Sequence, residues 1–222
     1  MCIRDSSGGV SWGVNAMNGV INIISKKAAA TQGGLVYGGF GPRGLQEGFI
    51  RWGGTKDNLA ARGTVGTYHT NGFGTGGGAD FDDYSHSLTS TGYGEYKLRD
   101  DSILTFSGGQ KTTTFGKEGV GSTVPYIRKT EYMNMQWEKT LQDGQVVNVR
   151  WSENFYEQIS KTHKFYSRED MIEFSYRFAL ENHNIVWGGD YTRDSYEFKP
   201  NSLAKENTLS DTTHTYLSLI HI

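Results

Sequence analysis

Apolar and polar residues alternate along most of the chain after about residue 30. Met133, Met135 and Trp137 interleave with Tyr132, Asn134, Gln136 and Glu138. Val147, Val149 and Trp151 interleave with Asn148, Arg150 and Ser152, and Ile172, Phe174, Tyr176 and Phe178 with Glu173, Ser175 and Arg177. A period of two predicts β-strands with one apolar and one polar face. Short polar turns are expected near residues 53–58, 97–102, 140–144 and 179–184, recurring about every 40 residues. Between them lie polar stretches read as long loops, 69–82, 112–128, 155–167 and 194–208; only the first hairpin, 41–44, is short on that side. Alternation of short and long connections is the rhythm of an antiparallel up-and-down barrel in an outer membrane. A soluble sandwich would alternate too, so the pattern alone leaves open whether the apolar face meets lipid or a protein core.

The aromatic residues narrow that choice. Trp52, Tyr96, Trp137, Phe178 and Trp187 all sit close to a short turn, and most share parity with the apolar face. Recurrence at one end of successive hairpins is the layout of an interfacial aromatic girdle. No run of about 18 apolar residues exists, which excludes a helical membrane span but not a barrel strand. With 22 Lys and Arg against 24 Asp and Glu, the net charge of −2 offers no basic field for nucleic acid.

The first 25 residues differ in kind. Gly8, Gly9, Gly13 and Gly19 punctuate a stretch that also holds Trp12, Asn15 and Ala16 and ends in Val20-Ile21-Asn22-Ile23-Ile24. Its β-branched, nearly unalternated end reads as a short strand buried on both faces, interrupted by Asn22. From Gly8 to Ser25 the sequence resembles the end of the plug domain of TonB-dependent outer-membrane receptors, and Thr31-Gln32-Gly33-Gly34-Leu35-Val36 resembles that family's link into the first barrel strand. It departs from the family at Arg4-Asp5-Ser6-Ser7, where an Arg-Gly-Pro usually precedes the Gly pair. Residues 1–6 and 217–222 resemble translated adapter sequence and are set outside the fold. Cys2, the only cysteine, goes with them, leaving no disulfide or Cys-ligated metal.

The resemblance implies an organisation in three parts. Residues 7–30 would be the C-terminal end of a plug, with Gly8, Gly9, Trp12, Gly13, Asn15, Ala16, Gly19 and Asn22 as its structural motif. Residues 31–216 would form about ten strands of a larger membrane barrel, large plugged transporters closing at about 22 strands. The implied function is energised uptake of a scarce solute across the outer membrane of a Gram-negative bacterium, a ferric siderophore or similar iron chelate being favoured. The partners would be outer-membrane lipid, a TonB-type energy-coupling protein whose contact segment lies outside this chain, and the small-molecule ligand. The secretory signal would lie there too. A soluble β-propeller-like interaction module, and an unplugged outer-membrane porin or enzyme, are the alternatives.

Other motifs dissolve on inspection. Gly39-Phe40-Gly41-Pro42-Arg43-Gly44 matches a dinucleotide-binding pattern, but it joins two strand-like segments with no helix after it, so it reads as a hairpin loop. Asp80, Asp82 and Asp83 lack calcium-loop spacing. His69, His86, His163, His183 and His214 show no metal-ligand spacing. No catalytic set, metal site or cofactor site is placed by motif, so the chain is not read as an enzyme. Arg51, Arg62, Glu138, Arg150, Glu173 and Arg177 fall on the polar parity, facing a lumen and pairing there. The candidates for ligand contact are aromatics in or beside the long loops: Phe73, Phe81, Phe115, Tyr126, Tyr156, Tyr196 and Phe198.

Overall fold

The computed structural model describes residues 25–72, 83–117, 125–180, 183–200 and 209–221, with 117, 180 and 209–221 described by their backbone alone. The plug-like motif, Gly8 to Asn22, lies outside the described residues. The alternating segments form ten strands: β1 (Gly33–Gly41), β2 (Leu45–Lys56), β3 (Leu59–Thr70), β4 (Ser85–Arg99), β5 (Ser102–Lys117), β6 (Pro125–Thr140), β7 (Val146–Ile159), β8 (His163–Leu180), β9 (His183–Pro200) and β10 (Leu209–His221). They make one antiparallel sheet in chain order, each strand paired with the next. The architecture is the all-β, up-and-down meander that the alternation predicts.

The tight turns at one end carry residues suited to them. Asp57 at φ 50°, and Asp143 and Gly144 at φ 66° and 74°, occupy left-handed backbone that Asp and Gly tolerate better than most residues do. The dinucleotide-like glycines are indeed a hairpin: β1 ends at Gly41, β2 begins at Leu45, and the Leu45 amide donates to the Pro42 carbonyl at 3.2 Å.

The other end departs from expectation. The stretch 155–167, read as a long loop, is strand almost throughout, with only residues 160–162 between β7 and β8. Ser160 closes this connection: its Oγ accepts from the Thr162 and His163 amides at 3.3 and 3.1 Å, and its own amide donates to the His163 carbonyl at 2.9 Å. Phe155, Tyr156, Phe165 and Tyr166 have strand preferences that override the polar residues among them. The loops read at 112–128 and 194–208 shrink in the same way, because β5 reaches Lys117, β6 starts at Pro125 and β9 reaches Pro200. At the far end β10 pairs with β9 as far as His221, so residues 217–221, set outside the fold from sequence, take part in the sheet.

Cross-strand register assigns every residue to a face, since paired residues point the same way. Trp52, Tyr96, Trp137, Phe178 and Trp187 all fall on one face with Met133, Met135, Trp151, Ile172 and Phe174. Arg51, Arg62, Glu138, Arg150, Glu173 and Arg177 all fall on the other. The apolar face is not covered by the described residues: Val36 is 75%, Ile50 63% and Trp52 70% exposed. Among the described residues only Ala28 and Ala60 are apolar and buried.

The apolar band also slants across the sheet. The pairing row through Ile50 passes Val65, Ser90, Gln110, Glu131 and Phe155 and reaches Arg168 on β8. On β8 the apolar residues lie further toward the short turns, at Ile172, Phe174 and Tyr176. Where the band stops on β6–β9, the same face carries ion pairs: Lys129–Glu157 at 3.1 Å, Arg168 with Glu153 at 3.3 Å and with Asp170 at 3.1 Å, and Lys199–Glu197 at 2.8 Å.

The polar face receives the start of the chain. A 3-10 turn, Ala28–Thr31, buries Ala28 and Thr31 against β2, β3 and β4. Arg62 Nη1 donates to Thr31 Oγ1 at 3.2 Å, and Thr31 Oγ1 donates to the Ala28 carbonyl at 3.1 Å. Gly53 is required here, because a Cβ would collide with the Thr31 carbonyl oxygen. Gly53→Val should therefore loosen the turn by about 1–3 kcal/mol. The Ala30 amide, which donates to the Lys27 carbonyl at 3.1 Å, should then exchange its hydrogen faster. The control Gly54→Val, where a Cβ meets nothing within 4 Å, should leave that exchange unchanged; equal exchange in both variants would refute the contact.

Candidate functional site

Toward the end of the sheet away from the short turns, the polar face carries a continuous aromatic and cationic wall across β5 to β9. Phe115 and Tyr126 are cross-strand partners, and their rings stack at 4.5 Å between centroids, 10° from parallel. The Arg128 guanidinium lies 5.2 Å from the Phe115 ring centre and 5.7 Å from that of Tyr156. Tyr156 meets Phe165 edge-on at 6.0 Å, Phe165 pairs with Phe198, and His163 stacks on Phe198 at 5.1 Å. Tyr156 Oη donates to Gln158 Oε1 at 2.8 Å.

Period-two geometry brings these residues together. Strands β5 to β9 all extend past their apolar bands, and in the extension the polar parity is filled by rings. Arg128 sits between two of them, a position where the guanidinium plane gains cation–π attraction worth about 0.5–2 kcal/mol. Its Nε is buried and has no hydrogen-bond partner among the described residues. The wall therefore offers flat π surfaces, one cation with a donor to spare and the His163 ring; such a surface suits an aromatic or anionic small molecule.

Of the loop aromatics singled out from sequence, Phe115, Tyr126, Tyr156 and Phe198 converge on this wall. Tyr196 shares the face, two residues along β9 from Phe198, and is 43% exposed. All five stand on strands rather than in loops. Phe73 and Phe81 lie outside the described residues. Sequence reasoning missed Arg128, Phe165 and His163 because the strands were ended too early. Continuing the alternation would have found them, since Arg128 shares parity with Tyr126, and Phe165 and His163 with each other.

Lower on the same face, Arg150 and Glu173 form an ion pair, Asn154 Nδ2 donates to Glu169 Oε1 at 2.8 Å, and Tyr37 Oη donates to Glu47 Oε1 at 2.7 Å. Arg62 lies 4.9 Å from the Tyr93 ring centre, and Tyr93 Oη donates to Glu95 Oε1 at 2.9 Å. These groups pair with one another and line a polar wall, although the buried Nε atoms of Arg51 and Arg150, like that of Arg128, have no hydrogen-bond partner among the described residues. Among the described residues, no three His, Cys, Asp or Glu side chains are grouped to hold a metal.

If the stack is a fixed part of the wall, a double-mutant cycle on Phe115→Ala and Tyr126→Ala should return a coupling of about 0.5–1.5 kcal/mol. Zero coupling would mean the two rings move independently.

With the geometry in place, comparison with known proteins adds the following. No family model and no curated protein matches the chain. Among solved structures it is similar to the ferripyoverdine receptor of the outer membrane of Pseudomonas aeruginosa bound to ferripyoverdine, at 13% identity and a TM-score of 0.57. It is also similar to a chain of the FpvAI–pyocin S2 complex, at 13% identity and a TM-score of 0.55. In each case the match covers 83% of this chain and 31% of the other, so the chain spans about a third of the length of the structures it resembles. The likeness is one of fold: this is an antiparallel up-and-down sheet of the kind that forms the barrel of those receptors.

Proposed function

We propose that the chain is part of a TonB-dependent outer-membrane receptor that takes up a scarce solute, a ferric siderophore or similar chelate. Its apolar face meets lipid, its polar face lines a lumen, and the aromatic wall helps capture the ligand at the outer mouth. The residues before Ser25 supply the end of a plug, which a TonB-type protein moves through a segment outside this chain. One observation carries this reading. A ten-stranded sheet that, among the described residues, buries almost no apolar side chain of its own, while exposing Val36, Ile50, Trp52 and Ile172, needs an apolar medium against that face.

The slant of the band supports it. Between β2 and β8 the apolar centre slips by about five residues, roughly 16 Å along the strands over about 29 Å across them, an angle of about 30°. That is a little below the tilt of about 35–45° at which outer-membrane strands cross the bilayer. The ion pairs of β6–β9 then stand beyond the hydrocarbon, at the end where the aromatic wall lies. The likeness to a receptor caught with ferripyoverdine supports the ligand class and a receptor rather than an enzyme. The propeller alternative is overturned by topology, since a propeller breaks into blades of four strands and here one sheet runs unbroken through ten.

Two adjacent residues on β8 test the membrane reading. Phe174 lies on the apolar face and Glu173 on the polar face. Arg at a lipid-facing midplane position costs roughly 2–4 kcal/mol. Phe174→Arg should abolish or slow insertion of the full chain into phospholipid vesicles, whereas Glu173→Gln should insert normally. Equal damage from both, or a wild-type chain that stays monomeric in buffer without lipid or detergent, would remove the membrane assignment. For the ligand, Arg128→Ala combined with Phe115→Ala in the complete receptor should lower uptake of iron supplied as catecholate or hydroxamate chelates by about tenfold or more. Unchanged uptake would remove the wall from capture.

A further inference from the structure

Three glycines from adjacent strands stand in one row on the apolar face: Gly63 on β3 pairs with Gly92 on β4, which pairs with Gly108 on β5. They floor a trough of about 960 Å³, with Ile50 and Trp52 along one side and Met133 and Phe155 along the other. Two other glycines of this face are covered by neighbouring rings. The Trp52 ring would lie 3.2 Å from a Cβ at Gly34, and a Cβ at Gly94 would run into the Phe106 ring. No ring covers the row. A Cβ at Gly92 would meet nothing within 4 Å, one at Gly63 only the Thr91 carbonyl at 3.9 Å, and one at Gly108 the Tyr132 carbonyl at 3.3 Å; Gly38 and Gly54 are open too, but they stand outside the trough.

Nothing inside the protein therefore requires glycine at Gly63 and Gly92. Glycine in a strand interior costs about 0.5–1 kcal/mol relative to alanine and marks a place where a ligand or another backbone comes close. The trough continues the apolar band, and it ends where Gln110, Glu131 and Glu153 line its rim, Glu153 being held by Arg168. Its occupant is apolar along its length and polar at one end. The floor strands are hydrogen-bonded on both sides, which leaves no edge for an added strand.

On these grounds we propose that the Gly63–Gly92–Gly108 trough holds the acyl chain of one ordered membrane lipid, with its headgroup at the Gln110–Glu131–Glu153 rim. This rests on the membrane reading above and extends it from a general lipid contact to a specific lipid site.

The test uses the full chain, inserted in membranes and extracted in mild detergent. Native mass spectrometry should find one phospholipid retained per chain in the wild type. Filling the floor with Gly92→Leu should cut retention about tenfold or more. Gly54→Leu, on the same face outside the trough and with nothing within 4 Å of its Cβ, should keep the lipid. As a measurement that needs no change to the floor, a chain with Trp52 as its only tryptophan would be loaded with dibromostearoyl phosphatidylcholine. It should stay quenched after dilution into excess unbrominated lipid, while single-tryptophan chains retaining Trp137 or Trp187 recover at once. Equal retention in both leucine variants, immediate recovery of Trp52, or a co-purifying protein helix in place of lipid would overturn the proposal. Insertion with uniform, fast lipid exchange would overturn this site alone. Failure to insert would overturn the membrane reading along with it.

Discussion

A sheet with one apolar face has to hide that face, and among the described residues this one has nothing of its own to hide it with. In a soluble domain the missing partner is a helix layer or a second sheet, and the core between the layers contributes most of the stability. Here the strands hydrogen-bond to one another, the polar face is occupied by ions, hydroxyls and the N-terminal turn, and Ile50, Trp52, Met133 and Ile172 point away from all of them. Backbone pairing supplies the order of the sheet, but the medium beyond the apolar face supplies the reason for its side chains.

That constraint organises the two ends as well. Near the short turns, rings such as Trp137 and Trp187 close the band. At the other end the apolar parity changes to Lys129, Glu153, Glu157 and Arg168, whose exposed ion pairs contribute little stability each and mark instead where water or headgroups begin. Once past that border both faces of a strand are wet, and the polar parity is free to carry rings. The wall from Phe115 to Phe198 occupies this zone. A surface of that kind would cost solubility on an ordinary exterior; in the proposed lumen mouth it would be a place to hold a ligand.

Much of this was legible in the sequence, because a period of two is a local signal. The strands around Met135, Val149 and Phe174 and the face of most girdle residues follow from parity, and the tight turns from the polar residues that interrupt it. Strand ends were harder to read. Polar residues at 156–164 look like loop when hydrophobicity is averaged, yet Tyr156, Phe165 and the Ser160 turn keep β7 and β8 paired almost to their tips. Past the apolar band a strand no longer needs an apolar parity, so the signal that identified it fades while the hydrogen bonding continues. The aromatic wall was half visible for the same reason: Phe115, Tyr126, Tyr156 and Phe198 were noticed, but their common face depends on register beyond the band. Gly53 gave no sign of its role, since only the approach of the Thr31 carbonyl reveals it.

The Trp137 indole Nε1 donates to Ser102 Oγ at 2.8 Å, between the start of β5 and the end of β6. A girdle tryptophan usually leaves that donor to water or to a headgroup, and so fixes its depth by a bond to the interface. With the donor satisfied inside the sheet, this ring ties the start of β5 to the end of β6 and asks nothing of its surroundings. On the proposed membrane reading, depth at this corner would be set by hydrophobic matching, which costs fractions of a kcal/mol per ångström, and the sheet would follow a thinner or thicker bilayer here without remaking its own bonds.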